Sequence, residues 1–197
     1  MIAYLNGKIT LKTPTFIYVE CGGVGYHVNI SLHTYSRLES LESIKILTYH
    51  HVREEEQSLY GFFDDEERLL FVQLISVSGI GVNTARVILS YMTPEEVRTA
   101  IMHENAVALS KVKGIGPKTA KQIILDLKEK VMKTGTDTPA LQVTLPSNAI
   151  KDEALAALMA LGFPKAAVEK HIKSVFEKQP DISLVEELIK NVLKQMN

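Results

Sequence analysis

Two short stretches carry residue types at a spacing suited to holding a phosphate group. They are Ser78-Gly79-Ile80-Gly81-Val82-Asn83-Thr84-Ala85-Arg86 and Lys113-Gly114-Ile115-Gly116-Pro117-Lys118-Thr119-Ala120-Lys121. They align without a gap at an offset of 35 residues (114 − 79), and the match extends to Leu74 with Leu109, Val77 with Val112 and Ile88 with Ile123. Each reads as a helix, a tight Gly-x-Gly turn and a second helix. Glycine tolerates the left-handed backbone that closes a helix. The first N–H groups of the following helix have no intrahelical acceptor, and the helix dipole adds partial positive charge, so an anion fits there. Candidate phosphate contacts are Gly79, Ile80, Gly81, Asn83, Thr84 and Arg86 in the first copy, and Gly114, Ile115, Gly116, Lys118, Thr119 and Lys121 in the second. A lone Gly-x-Gly is ordinarily just a helix cap; two aligned copies followed by Thr-Ala-(Arg/Lys) point to a ligand. Neither is a P-loop, because the G-x-x-x-x-G-K-[ST] spacing and a feeding strand are both absent.

The 197-residue chain is 46% hydrophobic and 23% charged, with a net charge of −1. That is an ordinary globular composition. Charge is unevenly spread, however: residues 109–133 hold seven lysines against two acids, or +5. Screening confines such a field to about 10 Å, so a local patch can hold phosphates on a near-neutral protein. No apolar run is long enough to span a membrane. The N-terminus lacks a basic start and apolar stretch, and the lone Cys21 fits a reducing compartment, so a cytoplasmic location is expected. His50 and His51 would point to opposite faces of a strand, and the other histidines show no ligand spacing. No metal, cofactor or catalytic group is expected.

Residues 1–62 read as five strands, at 1–12, 14–21, 24–31, 44–51 and 58–63, with a short helix over 34–41. That order suggests an OB-type β-barrel. Gly22-Gly23-Val24-Gly25 marks a hairpin or barrel corner. The fourth strand leads into Arg53-Glu54-Glu55-Glu56-Gln57, which by itself reads as a solvated hairpin tip.

From Asp64 the pattern is helical. Asp64 and Glu67 have capping-box spacing, Pro94 opens another helix, 105–112 is a short helix, and Pro117 opens one running to about residue 131. Residues 63–133 thus form a five-helix domain built on the repeat. Residues 134–148, rich in Thr, Pro and Gly, read as a flexible linker. Residues 149–197 read as three amphipathic helices, over 149–161, from Pro164 to about 176, and from Ser183, where Ser183 and Glu186 again have capping-box spacing. The charge of 136–197 is −1, which suits a protein-docking module better than a nucleic-acid footprint.

The whole pattern resembles the RuvA family of bacterial Holliday-junction-recognition proteins. The likeness rests on Glu20-Cys21-Gly22-Gly23-Val24-Gly25-Tyr26, on Val52-Arg53-Glu54-Glu55-Glu56-Gln57-Ser58-Leu59-Tyr60-Gly61-Phe62, on both Gly-Ile-Gly turns and on Leu161-Gly162-Phe163. It implies an α+β multidomain chain: an OB-type barrel, a tandem helix-hairpin-helix domain, a linker and a three-helix, UBA-like module. It implies a homotetramer, with one or two tetramers on a four-way junction. It implies that residues 149–197 contact a RuvB-type hexameric AAA+ motor, with a RuvC-type resolvase in the same complex. Glu54 and Glu55 match the paired acids of the family's central acidic pin, whereas Glu56 does not. Asn83 stands where many relatives carry lysine, which shifts the expected electrostatic weight to Lys118 and Lys121.

Two other function classes fit parts of the chain. A helix-hairpin-helix glycosylase or nuclease wants a catalytic acid beside a hairpin or clustered carboxylates on a metal. No acid lies just past either turn. An RNA-binding OB protein wants a basic-aromatic strand face, yet residues 1–62 carry five Lys+Arg against six Glu.

Overall fold

The computed structural model describes residues 1–134, 146–179, 182 and 184–196. It divides into two compact units, Met1–Thr138 and Pro139–Asn197.

In the first unit, β1 (Tyr4–Lys12), β2 (Phe16–Cys21), β3 (Val24–Ile30), β4 (Ser43–Val52) and β5 (Gln57–Phe62) close a barrel in the order β1-β2-β3-β5-β4. Helix α1 (Leu32–Arg37) carries the chain from β3 to β4. This crossover lets β5 return parallel to β3, with Val28 beside Leu59 and Ile30 beside Gly61. The β2–β3 corner is a two-residue turn in which Gly22 and Gly23 have φ of +58° and +84°, the hand that matches strand twist. Alternate residues Ile17, Val19, Val28, Ile44 and Ile46 point inwards, and Leu38 is buried with them after α1.

Five helices follow: α2 (Asp65–Ile75), α3 (Val82–Tyr91), α4 (Pro94–Met102), α5 (Ala106–Ser110) and α6 (Pro117–Thr134). Pro94 stands in the first turn of α4, and Thr93 with Glu96 closes a reciprocal capping box there. The helices share one apolar cluster with the last barrel strand. Phe71 of α2 lies 4.9 Å from the Phe62 ring, 5.4 Å from Tyr60 and 5.5 Å from Tyr49. The divide expected at residues 62 and 63 therefore falls within a continuous seam.

A polar network lies in the same seam. Asp64 caps α2 by accepting from the Glu67 N–H at 2.9 Å, but the return half of the expected capping box does not form. The Glu67 carboxylate turns inwards instead and is fully buried. It accepts from the Ser31 hydroxyl, and from Thr34 Oγ1 at 2.5 Å. Ser31 in turn accepts from the Thr34 N–H at 3.0 Å, and Thr34 Oγ1 from the Phe63 N–H at 3.3 Å. Sequence spacing suggests a helix cap; the tertiary fold offers Glu67 two hydroxyls that the helix end does not.

The second unit is a bundle of α7 (Pro146–Ala160), α8 (Lys165–Lys178) and α9 (Val185–Met196) around Leu158, Val168, Ile172, Leu188 and Val192. Helix α7 starts three residues before the expected 149. The expected Ser183 cap and most of the expected linker lie outside the described residues.

Burial pushes the Glu67 carboxyl above the ordinary glutamate range. The Ser31 and Thr34 hydrogen bonds and the nearby His33 oppose that shift, and Asp64 adds to it. A folded value above the unfolded one gives stability that is fully present at low pH and lost as pH rises through the folded value. The stability gap between wild type and Glu67→Gln in urea titrations should therefore narrow as pH climbs from about 4 towards 7; a widening gap contradicts this account. Glu67→Ala should lose about 2 kcal/mol or more at any pH, since two buried hydroxyls lose their acceptor.

Candidate nucleic-acid interface

The two turns superimpose bond by bond. Val77 N–H donates to Leu74 O at 3.1 Å, and Val112 N–H to Leu109 O at 3.2 Å. Ile80 N–H donates to Val77 O at 3.1 Å, and Ile115 N–H to Val112 O at 3.0 Å. Gly79 and Gly114 have φ of +86° and +92°. The next helix then begins with Ala85 N–H to Gly81 O at 3.0 Å, or Ala120 N–H to Gly116 O at 2.9 Å. The N–H groups of Val82, Asn83 and Thr84 thus precede the α3 ladder, and those of Lys118 and Thr119 precede the α6 ladder. Gly81 caps α3 without any side-chain hydrogen bond. A Cβ placed on Gly79, Gly81, Gly114 or Gly116 would meet nothing within 4 Å. The turns face open space.

Ile80 and Ile115 do a different job from the one expected of them. Each is only 5% exposed, and each amide is already bonded within the turn. They anchor the corner from inside, while the amides without an intrahelical acceptor lie after it. Ala85, Ala120, Ile88 and Ile123 are buried beneath the same corners.

The two turns differ in their side chains. Lys118 and Lys121 are exposed beside the second turn, with Lys111 and Lys113 just before it. Among the described residues none of these four is in an ion pair, whereas Lys128 is bound to Glu104. Thr84 and Thr119 are half-buried at matching positions. At the first turn, Asn83 is exposed and its Oδ1 accepts from the Tyr60 hydroxyl at 3.4 Å. Arg86 departs from expectation. Its Nη1 donates to Asn29 Oδ1 at 2.9 Å and to Thr15 O at 3.2 Å, so its guanidinium is engaged by the barrel.

Glu54 and Glu55 lie at the tip of the β4–β5 hairpin, in a loop closed by Arg53 N–H to Glu56 O at 2.8 Å. Residues 53–57 are all exposed. Glu56 is held by the Ser58 hydroxyl at 2.5 Å, which leaves Glu54 and Glu55 as the outward carboxylates. Among the described residues no cluster of His, Cys, Asp and Glu is placed to hold a metal, and no helix is long and apolar enough to cross a membrane.

Comparison with known proteins decides the family. The chain is 43% identical over 198 residues to a Cytophaga hutchinsonii protein named "Holliday junction branch migration complex subunit RuvA", covering 98% of this chain and 99% of that one. It is 46% identical over 203 residues to the Bacteroides fragilis protein of the same name, with both chains fully covered. The chain belongs to the RuvA family. The family descriptions "RuvA N terminal domain", "SAM-like Helix-hairpin-helix tandem" and "RuvA, C-terminal domain" match residues 1–61, 71–129 and 149–197 respectively. Within this RuvA fold, the second turn keeps its cations in solvent and the first is tied to the barrel. Sequence reading missed the roles of Glu67, Asn29 and Tyr60, because their partners lie 23 to 57 residues away along the chain.

Gly79→Ala or Gly114→Ala should each lower stability by about 1–2 kcal/mol, through left-handed backbone strain alone. Gly116→Ala should cost under about 1 kcal/mol, because that position is a helix start in open space. Urea unfolding of the three variants checks this ordering.

Proposed function

We propose that this chain is a non-catalytic, structure-specific DNA-binding subunit that recognises four-way junctions. In this reading it holds the junction open and flat. The single observation that carries the reading is the pair of equivalent turns with open amide donors, one flanked by unpaired lysines, on the same compact unit as an exposed Glu54–Glu55 tip. The names borne by the relatives agree with it.

The division of labour is electrostatic. Amides of residues 82–84 and 118–119, with Lys118 and Lys121, bind backbone phosphates at the periphery. Such contacts carry no base information, so binding is independent of sequence. Paired glutamates at the crossover repel phosphates and keep strands apart, a force only weakly screened within about 10 Å. Fourfold assembly brings the tips of four copies together at the crossover; one tetramer, or two enclosing the junction, completes the complex. The protein acts in the cytoplasm.

The second unit carries the motor contact. Its core is closed, yet Met159 and Leu161 stay 45% and 64% exposed near the end of α7. Apolar groups left in solvent on a small bundle suit a partner protein. The proposed partner is a RuvB-type hexameric ATPase that drives branch migration, with a RuvC-type resolvase acting in the same assembly.

In gel-shift titrations the protein should bind a four-way junction well ahead of linear duplex of equal length; equal affinities contradict the reading. Lys118→Ala should weaken both complexes and reduce the salt slope by about one. Glu54→Gln combined with Glu55→Gln should leave junction binding intact or tighter while altering branch-migration rate, and a severe loss of binding would exclude a repulsive role for the tip.

A further inference from the structure

Helix α3 is fastened to the barrel by polar contacts at both its ends. Near its start, the Tyr60 hydroxyl of β5 reaches Asn83 at 3.4 Å. In its middle, Arg86 Nη1 spans Asn29 Oδ1 and Thr15 O, at 2.9 and 3.2 Å. Near its end, Ser90 Oγ donates to Arg86 O at 2.8 Å and accepts from the Leu32 N–H at 3.1 Å, at the joint between β3 and α1. Asn29 does not stop at Arg86. Its Nδ2 donates to Leu59 O at 3.2 Å, and Leu59 stands just past the glutamate tip, at the start of β5. A short chain of hydrogen bonds thus runs from the first turn through Arg86 and Asn29 to the strand that carries the tip.

We propose that Arg86 and Asn29 are positioning residues that set the preference for a junction over linear duplex, by holding the first phosphate-binding turn at a fixed place relative to Glu54 and Glu55. This rests on the junction-binding reading above. Linear duplex engages the turns alone, so it tolerates movement between turn and tip. A junction engages both at once, and a tip that wanders brings carboxylates onto phosphates. Loosening the link therefore penalises only the branched substrate. Arginine suits the task because Nη1 holds its two N–H donors in fixed directions in the guanidinium plane, whereas a lysine ammonium turns freely on its stem. The clamp also accounts for the asymmetry of the repeat: the cation at position 86 faces the barrel, while its counterpart Lys121 faces solvent.

The test uses the full-length protein, a four-way junction and a linear duplex of equal length, titrated across a salt series. Arg86→Gln and Asn29→Ala should each lower the junction-to-duplex affinity ratio by roughly threefold or more, with duplex affinity and its salt slope unchanged. The double variant should be no worse than the more affected single one, since both break one link. Asn29→Asp keeps the acceptor for Arg86 but loses the Nδ2 donor to Leu59 O, so it too should lower the ratio with duplex affinity unchanged. Thermal melts establish that each variant folds; should Asn29→Ala fail to fold, Arg86→Gln and Asn29→Asp still decide the matter. If Arg86→Gln weakens both complexes equally, with a salt slope lower by about one, and Asn29→Ala changes nothing, Arg86 is a phosphate ligand and the proposal fails. A wild-type preference retained by the variants overturns this inference alone, whereas a wild type with no preference overturns the junction reading as well.

Discussion

The packing of the Phe71 ring against Phe62, Tyr60 and Tyr49 is the contact on which the geometry of the first unit depends. A barrel and a helical domain joined only by chain connectivity would move independently. Here one apolar cluster runs from β5 into all five helices, and Glu67 is sealed beside it with both carboxylate oxygens engaged. Apolar packing supplies most of the attraction; the hydroxyl network supplies direction, because a buried carboxylate tolerates few arrangements. Under the proposed function, turns and glutamate tip act on one ligand only because this seam keeps them in one frame.

Within that frame the repeat is symmetric in backbone and asymmetric in use. Hydrogen bonds, positive-φ glycines and buried aliphatics recur at an offset of 35 with near-identical geometry. The flanking polar residues do not. The first copy abuts the barrel, so its side chains find Tyr60, Asn29 and Thr15. The second packs on α4 and leaves its lysines in water. Under the proposed function, long-range attraction comes from the second turn, and the first contributes amides held at a set position.

The second unit has a chemistry of its own. Its apolar core is its own, and its exposed surface mixes lysines with acids and leaves Met159, Leu161 and Leu184 in solvent. Under the proposed function, one unit meets DNA and the other meets protein.

Local chemistry made much of this legible in the sequence. Period-2 alternation at 16–19 and 44–47 marked barrel strands, Gly-Gly marked a two-residue turn, Pro94 and Pro117 marked helix starts, and the gapless repeat marked paired turns. Each signal depends on residues a few positions apart, so no tertiary knowledge was needed. The exposed tip was equally readable, since three consecutive glutamates cannot be buried unpaired. Tertiary structure alone decided the fates of Glu67 and Arg86. By spacing, one is a helix cap and the other a phosphate ligand; in the fold, one is buried under Ser31 and Thr34 and the other is clamped to Asn29. A side chain's partner is set by whatever surface the fold brings against it, and for these two residues that surface comes from distant parts of the chain.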